Sequence, residues 1–258
     1  MLNKVSIKEV EAYWNARPCN IKHSAKTKGT IEYFNEVELW RYLIEPHTHR
    51  FPQFEKWKDK RVLEIGCGIG TDATNFCRAG AVYTGIELSK ESASLTRQRL
   101  KAFDLDGRII VGNAENLDDL VGDETFDLIY SMGVIHHSPN PRAITKSLPN
   151  YLNTNGEIRI MVYAQNSWKN YLIESGMAQP EAQDDCPQAI TYTNKEARIL
   201  FNEFNLDISQ DFIFPWQIDA YKNKTLIKEP WFAEMPESMF RTLETKLGWH
   251  LLIIGKIK

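Results

Sequence analysis

The sequence has few cysteines, no excess of charge of one sign and no long apolar run. Its 258 residues include four scattered cysteines without a CxxC pair, which predicts neither a disulfide framework nor a zinc site and favours a reducing cytoplasm. Lysine and arginine number 31 against 34 acidic residues, a net charge of −3. This balance argues against a nucleic-acid-binding protein. No apolar run approaches the length of a membrane span.

What the sequence does have is an alternation of short apolar strands with helices. Strands are predicted at 61–65, 81–87, 107–114, 125–131 and 156–164, and helices at 71–79, at 90–103 and from 141 to near 153. This alternation is typical of a parallel sheet covered on both faces. Outside it we predict helices at 6–16, 31–44 and 193–204, an insertion at 165–190, and strands at 208–216 and 248–257.

The stretch VLEIGCGIGTD, residues 62–72, carries three glycines directly after the first predicted strand. Glycine permits unusual backbone angles and a close approach of a ligand. The dinucleotide-binding fingerprint G-x-G-x-x-G would place the third glycine one position later than Gly70. An acidic residue, Glu64, precedes the first glycine by two positions, which suits a ligand with positive charge better than a pyrophosphate.

A second carboxylate, Glu87, closes the second predicted strand, 21 residues after Gly66. At the carboxyl end of a strand in an open α/β sheet, an acidic side chain can accept hydrogen bonds from the hydroxyls of a ribose. The two observations together predict a ligand that contains a ribose, carries positive charge and does not need a phosphate.

Four segments resemble, in order, the successive motifs of class I S-adenosylmethionine-dependent methyltransferases: VLEIGCGIG, GIELS, GNAENL and FDLIYSMGVIHHSPNP. The likeness covers about residues 60–164 and is strongest to the methyltransferase type 11 group with small-molecule acceptors, which includes the ubiquinone-biosynthesis type. It implies an α/β, Rossmann-like, seven-stranded sheet with helices on both faces and an antiparallel last strand. Within a single domain, 1–258, it implies an N-terminal helical lid (1–55), a cofactor-binding core (56–164) and an acceptor-side insertion with the last strands (165–258).

The resemblance also implies the cofactor, S-adenosylmethionine (SAM), its product S-adenosylhomocysteine (SAH), and no metal. The glycine turn would line the methionine part, Glu64 its amino group, Glu87 the ribose, and residues 113–115 the adenine. Many family members have Asp where Asn113 stands. The implied cofactor-binding residues are Glu64, Gly66, Cys67, Gly68, Gly70, Glu87, Leu88, Asn113, Ala114, Glu115 and Met132.

Catalytic and acceptor-binding candidates lie in the loop after the fourth strand and in the segments outside the shared core. His136 or His137 could remove a proton from the acceptor, or could pack against the cofactor or cap the helix at Asn140. The acceptor candidates, each with a structural role as the alternative, are Trp14, Arg17, Tyr33, Tyr163, Gln183 and Trp216. An arginine in the lid favours an anionic acceptor. For the two histidines of HTH (47–49) we predict a packing or surface role rather than metal binding.

The predicted function is methyl transfer from SAM to a small molecule by in-line displacement. The fourth-strand loop lacks the Asp/Asn-Pro-Pro-aromatic motif of amino methyltransferases that act on adenine, cytosine or glutamine, which argues against DNA as a substrate. Three alternatives stay open: a non-catalytic SAM-binding protein, an RNA methyltransferase and an NAD-dependent oxidoreductase. The sequence does not indicate whether O, N or C is methylated, nor the oligomeric state.

Overall fold

The computed structural model describes residues 5–178 and 185–258. Its strands are β1 (Arg61–Ile65), β2 (Val82–Glu87), β3 (Arg108–Val111), β4 (Phe126–Met132), β5 (Leu152–Ala164), β6 (Thr191–Tyr192), β7 (Phe204–Asp211) and β8 (His250–Ile257). Its helices are α1 (Ile7–Ala16), α2 (Ile31–Ile44), α3 (His47–Arg50), α4 (Thr71–Arg78), α5 (Lys90–Ala102), α6 (Asp118–Val121), α7 (Pro141–Ser147), α8 (Trp168–Glu174), α9 (Asn194–Leu200), α10 (Ile218–Lys222), α11 (Pro230–Ala233) and α12 (Glu237–Leu247).

One sheet runs through the described chain in the order β3-β2-β1-β4-β5-β8-β7. The first five strands in this order are parallel, and β8 is antiparallel to both of its neighbours. The predicted α/β sheet with an antiparallel last strand is therefore confirmed. An eighth strand was not predicted: the two-residue β6 follows the insertion and pairs with β5 outside the main order.

Two apolar clusters cover the two faces of the sheet. Along β1 and β4 the side chains alternate, so that Leu63 and Ile129 belong to one cluster and Val62, Leu128 and Tyr130 to the other. Successive residues of a strand point to opposite faces, and full burial of one such large side chain contributes roughly 1.5–3 kcal/mol. Apolar packing thus stabilises both faces of the sheet, and the site described below lies at the carboxyl ends of the parallel strands.

Several predicted boundaries were wrong. The helix at 141–153 ends at Ser147, because Pro149 lacks the N–H that a continuing helix needs, and a tight 3₁₀ turn, Leu148–Tyr151, follows. The strand predicted at 208–216 is β7, which ends at Asp211 because Phe212 takes a positive φ of 78°. The predicted insertion contains α8, which Ser167 caps.

The N-terminal helices begin where their sequence provides caps. Ser6 and Glu9 form a reciprocal capping box at α1, and the side chain of Thr30 caps α2, contacts that satisfy otherwise unpaired N–H groups of the first turn. Both helices border the cavity described below. Within residues 5–178 and 185–258, no helix has the length and apolar character needed to cross a membrane.

Candidate functional site

The glycine turn between β1 and α4 has a backbone that side chains rarely adopt. The φ angles of Gly66, Gly68 and Gly70 are 79°, 55° and 80°, in the left-handed region that favours glycine. A Cβ on Gly66 would overlap the side chain of Val134, whereas a Cβ on Gly68 would meet no atom within 4 Å. Gly66 is therefore required by packing against the loop after β4, and Gly68 faces open space.

Glu87 lies at the end of β2, beside this turn. Its side chain is 8% exposed, and its two carboxylate oxygens accept hydrogen bonds from the backbone N–H groups of Gly68, at 2.8 Å, and Ser89, at 2.9 Å. Burial raises the pKa of Glu87 to about 7, against the lowering effect of these hydrogen bonds. Because each carboxylate oxygen can accept more than one hydrogen bond, the Glu87 carboxylate can still accept from a ligand.

Two more buried acids, Glu64 and Asp72, border the same cavity. The hydroxyl of Tyr83 donates to Glu64 at 2.5 Å, and burial, together with the nearby Asp72, raises the pKa of Glu64 well above its usual range. Asp72 accepts two hydrogen bonds from the guanidinium of Arg41, at 3.1 and 3.0 Å. The turn is thus surrounded by carboxyl groups, of which one is neutralised by a fixed cation.

The segment after β3 borders the cavity with Asn113 and Ala114. The side-chain oxygen of Asn113 accepts the N–H of Glu115 at 3.0 Å and caps a short 3₁₀ turn. Glu115 points elsewhere: it is bonded to the hydroxyl of Ser138 and to the N–H of Asn140, and it does not line the cavity. The polar side chain on the cavity side of this segment is therefore Asn113.

The cavity itself has a volume of about 1270 Å³, above the ~300–1,000 Å³ of typical small-molecule sites. One part is formed by the glycine turn, with Cys67, Glu87, Leu88 and Met132. The rest is a chamber with aromatic walls, formed by Trp168, Phe212, Phe214, Tyr221, Trp231 and Trp249. One cavity can therefore hold two ligands side by side.

The two histidines after β4 differ in their access to this cavity. His137 lines it, and its Nδ1 lies 2.6 Å from the carbonyl oxygen of Gln188. His136 is fully buried, does not line the cavity, and has no hydrogen-bond partner for either ring nitrogen among the described residues. Burial lowers the pKa of His136 well below its usual range, which is consistent with a neutral ring packed on Tyr163 at 3.9 Å between centroids.

Comparison with known proteins agrees with this geometry. A family model described as a methyltransferase domain matches residues 35–210, which is more than half of the chain. The chain belongs to the methyltransferase domain family. Ubiquinone biosynthesis O-methyltransferase of Glaesserella parasuis is 33% identical over 38% of this chain and 42% of that protein. The 27-O-demethylrifamycin SV methyltransferase of Amycolatopsis mediterranei is 27% identical over 39% of this chain and 37% of that protein.

These curated relatives are therefore matched over less than half of their own length. Among solved structures, magnesium protoporphyrin IX methyltransferase of Synechocystis PCC 6803 with bound SAH has a TM-score of 0.64 at 11% identity and covers 98% of this chain and 100% of that one. A SAM-dependent methyltransferase of Clostridium acetobutylicum has a TM-score of 0.58 at 13% identity, over 87% and 98% of the two chains. Both likenesses support the methyltransferase fold.

The acceptor candidates of this methyltransferase domain are divided by the structure. Trp14, Tyr163 and Trp216 line the cavity. Tyr33 is fully buried away from it, with its hydroxyl donating to the carbonyl oxygen of Ile21, and Arg17 lies over the ring of Tyr13 at 5.1 Å, also outside the lining. Gln183 is outside the described residues.

Sequence reasoning missed the Arg41–Asp72 pair, and it assigned residues 165–258 to the acceptor side without naming the six aromatic side chains of the chamber. Arg41 and Asp72 are 31 residues apart, and the chamber is assembled from side chains between 168 and 249. In neither case does the spacing of the residues along the sequence indicate that their side chains are close in space. Among the residues the methyltransferase structure describes, no group of three or more His, Cys, Asp or Glu side chains could hold a metal ion.

Proposed function

We propose that this chain is a SAM-dependent methyltransferase that transfers a methyl group to a small-molecule acceptor. The observation that carries the proposal is the position of the Glu87 carboxylate, which is hydrogen-bonded to Gly68 of the glycine turn at 2.8 Å and faces the large cavity. A carboxylate next to a glycine turn at the carboxyl ends of parallel strands is suited to a ribose.

The groups around the turn fit SAM by their chemistry. Glu87 would accept hydrogen bonds from the ribose hydroxyls, and Asn113 with Ala114 would border the adenine. SAM carries positive charge on its sulfonium and amino groups, and this wall presents the buried carboxyls of Glu64 and Glu87 together with the Arg41–Asp72 ion pair. Ionisation of Glu87, whose pKa is raised to about 7 by burial, would give the wall a negative charge that attracts a cationic ligand and disfavours a pyrophosphate.

SAM, when bound, supplies a methyl group already activated by the sulfonium, so the protein's task is to position the acceptor and exclude water. Trp14 of α1 covers the cavity and packs edge-on against His137, with 5.2 Å between the ring centroids. His137 and Met132 border the cavity after β4, and Tyr163 borders it at the end of β5. Together these side chains would separate the reacting atoms from solvent.

The acceptor in this proposal is a small organic molecule with a sizeable apolar part. The aromatic walls of the chamber favour such a ligand, because apolar and aromatic surfaces supply most of the affinity in small-molecule sites. The curated relatives named for ubiquinone biosynthesis and for a rifamycin are consistent with it. A cytoplasmic location belongs to the same proposal.

A transfer assay with SAM bearing a trideuterated methyl group tests the proposal. The protein, SAM and pools of small aromatic and apolar acceptors with hydroxyl, carboxyl or amino groups are incubated, and SAH and labelled products are measured by mass spectrometry. We expect SAH and labelled product in equal amounts, abolished by Glu87→Ala and retained by Glu91→Ala, a change at an exposed acid on α5. Tight SAM binding without product from any pool would favour the non-catalytic alternative.

A further inference from the structure

Two buried histidines are in contact beside the aromatic chamber. His47 of α3 and His250, the first residue of β8, are 2% and 3% exposed, and Nε2 of His47 lies 2.7 Å from Nδ1 of His250. His250 lines the cavity and His47 does not. In the sheet, β8 is two places from β4, roughly 10 Å at ordinary strand spacing, so His250 lies on the chamber side of the cavity.

The hydrogen bond between the two rings requires one proton, and the surroundings decide which ring supplies it. Nδ1 of His47 is buried without a hydrogen-bond partner among the described residues. If His250 were the donor, neutral His47 would carry its proton on that Nδ1, and a buried unpaired N–H costs about 1–3 kcal/mol. If His47 donates from Nε2, only a lone pair is left unsatisfied, which is the less costly arrangement.

This arrangement fixes the other ring nitrogen of His250 as a donor. With Nδ1 accepting from His47, the proton of neutral His250 is on Nε2. No described residue is hydrogen-bonded to Nε2 of His250. The rings of Tyr163 and Phe212 lie nearly parallel to the imidazole, at interplanar angles of 14° and 27°, and hold its orientation. At this position the cavity is therefore lined by one N–H donor, Nε2–H of His250, whose orientation the two rings fix.

The charges around the pair favour the neutral form. Burial lowers the pKa of His47 to about 3 and that of His250 well below its usual range, and the cations of Lys169, Arg41 and Arg50 act in the same direction. Arg41 is paired with Asp72, and Arg50 lies 3.7 Å from Asp211, the residue opposite His250 on β7. Lys169 lines the cavity and lies over the ring of Trp249, at 5.1 Å from its centroid.

We propose that His250 donates its Nε2–H to an anionic oxygen of the methyl acceptor, a carboxylate or a phenolate, and that His47 is the positioning residue that fixes this tautomer. The inference rests on the proposed methyltransferase function and names the acceptor class for it. A neutral N–H donor whose ring packs against aromatic side chains suits a planar acid, because the N–H can donate to an oxyanion while the acid's ring contacts the aromatic walls.

The chemistry needs no general base. The acceptor binds in its ionised form, so no proton has to leave during transfer. A lone pair of the acceptor oxygen forms the new O–C bond, the S–C bond breaks, and its electron pair stays on sulfur, which changes from a sulfonium to a neutral thioether. With its proton on Nε2, His250 cannot accept another there, so its role is to hold and orient the oxygen.

The tautomer is measured directly by two-bond ¹H–¹⁵N correlations on the full chain labelled with ¹⁵N-histidine and saturated with SAH. His250→Gln and His47→Gln assign the two resonance sets. We expect the proton on Nε2 in both rings, and loss of the single tautomer of His250 in His47→Leu. A proton on Nδ1 of His250, or a doubly protonated ring near neutral pH, would overturn the proposal.

The acceptor class is tested by titrating the same sample with benzoate, 4-nitrophenolate and benzylamine. We expect one or both anions to shift the Nε2–H resonance of His250 saturably, and the choice between them identifies carboxylate or phenolate. His250→Leu should weaken that anion about tenfold or more, as expected for loss of a hydrogen bond to a charged group, while His250→Gln, which keeps an N–H donor, retains most of the affinity. A shift by benzylamine alone, or by no probe, refutes the subsite.

The two proposals fail in distinguishable ways. Titration of SAH into His250→Leu and His47→Leu should give the wild-type affinity, because neither residue borders the glycine turn. Binding of SAH with this affinity also shows that both variants are folded. Absence of SAH binding to the wild type would instead contradict the methyltransferase function itself, whatever the tautomer of His250.

Discussion

At the scale of single residues, Glu87 is the group whose ionisation should control cofactor affinity. Its pKa is raised to about 7 by burial, and the ionised form is the better acceptor for two ribose hydroxyls. The apparent dissociation constant is multiplied by 1 + 10^(pKa − pH), so affinity is full above the pKa and is lost as the pH falls below it.

The affinity for SAH should therefore fall about tenfold between pH 8 and pH 6, a pH range centred on the raised pKa. Calorimetric titrations at several pH values measure the change. Glu87→Gln should bind more weakly at pH 8 and lose this pH dependence. A wild-type affinity that is constant over this range would show that the Glu87 carboxylate does not contact the ligand.

Gly66 and Gly68 offer a matched pair of substitutions in the same turn. Both have positive φ, so Gly66→Ala and Gly68→Ala share a backbone strain of ~1–2 kcal/mol. Only Gly66→Ala adds a clash, with Val134, and overpacking of this kind costs a further ~1–3 kcal/mol. Urea denaturation should show the larger loss of stability for Gly66→Ala; equal losses would contradict the tight packing between the turn and the loop after β4.

The sequence predicted which side chains face the cavity better for some residues than for others. The sequence could place Glu87 and the glycines at the cavity, because their positions follow from one strand and one turn, and their roles in cofactor binding stay a prediction. Asn113 and Glu115 are two positions apart in sequence, yet Glu115 is bonded to Ser138 and Asn113 faces the cavity. Which of two polar side chains in one short segment faces the cavity depends on a capping turn and on long-range partners.

At the scale of elements, the decisive contact is between helix α2 and helix α4, which follows the glycine turn. The guanidinium of Arg41 is bonded to both carboxylate oxygens of Asp72, which is 2% exposed and also accepts hydroxyl hydrogen bonds from Tyr42 and Tyr130. Loss of the guanidinium would leave an uncompensated charge on this buried carboxylate, which is strongly destabilising. The ion pair therefore fixes α2 against α4.

Removing the cation should destabilise the protein strongly. Arg41→Met leaves the Asp72 carboxylate buried without its counterion, and such changes cost about 3–5 kcal/mol. The matched control is Arg108→Met, which breaks an exposed pair between Arg108 of β3 and Glu124 and should cost under ~1 kcal/mol. Urea denaturation compares the free energies of unfolding; similar small losses for both variants would show that the Arg41–Asp72 pair does not hold α2 against α4.

Helix starts were predicted better than helix and strand ends, for a physical reason. Ser89 at α5 and Asn140 with Pro141 at α7 act through contacts with the next three residues, which the sequence displays directly. The end of β7 depends on the backbone of Phe212, whose ring packs at 5.0 Å from His250. A partner 38 residues away cannot be seen in local patterning.

At the scale of the whole molecule, the sheet could be predicted strand by strand, whereas the chamber could be predicted only as a segment, residues 165–258, and not by its side chains. Buried strands alternate with helices in order along the chain, so β1 to β5 follow from periodicity. The chamber combines α8, the segments around α10 and α11, and the start of β8, whose side chains meet only because β8 inserts between β5 and β7. The chamber therefore depends on the order of the strands in the sheet, which local sequence patterns do not show.

Binding of SAM in the cavity beside the glycine turn is measured by calorimetric titration. SAM, SAH and NADH are titrated into the wild type, Glu87→Ala and the control Glu91→Ala, each first shown to be folded. We predict that SAM and SAH bind the wild type and the control, that Glu87→Ala weakens both about tenfold or more, and that NADH gives no heat of binding. If folded wild-type protein binds neither SAM nor SAH, the cavity is not a SAM site.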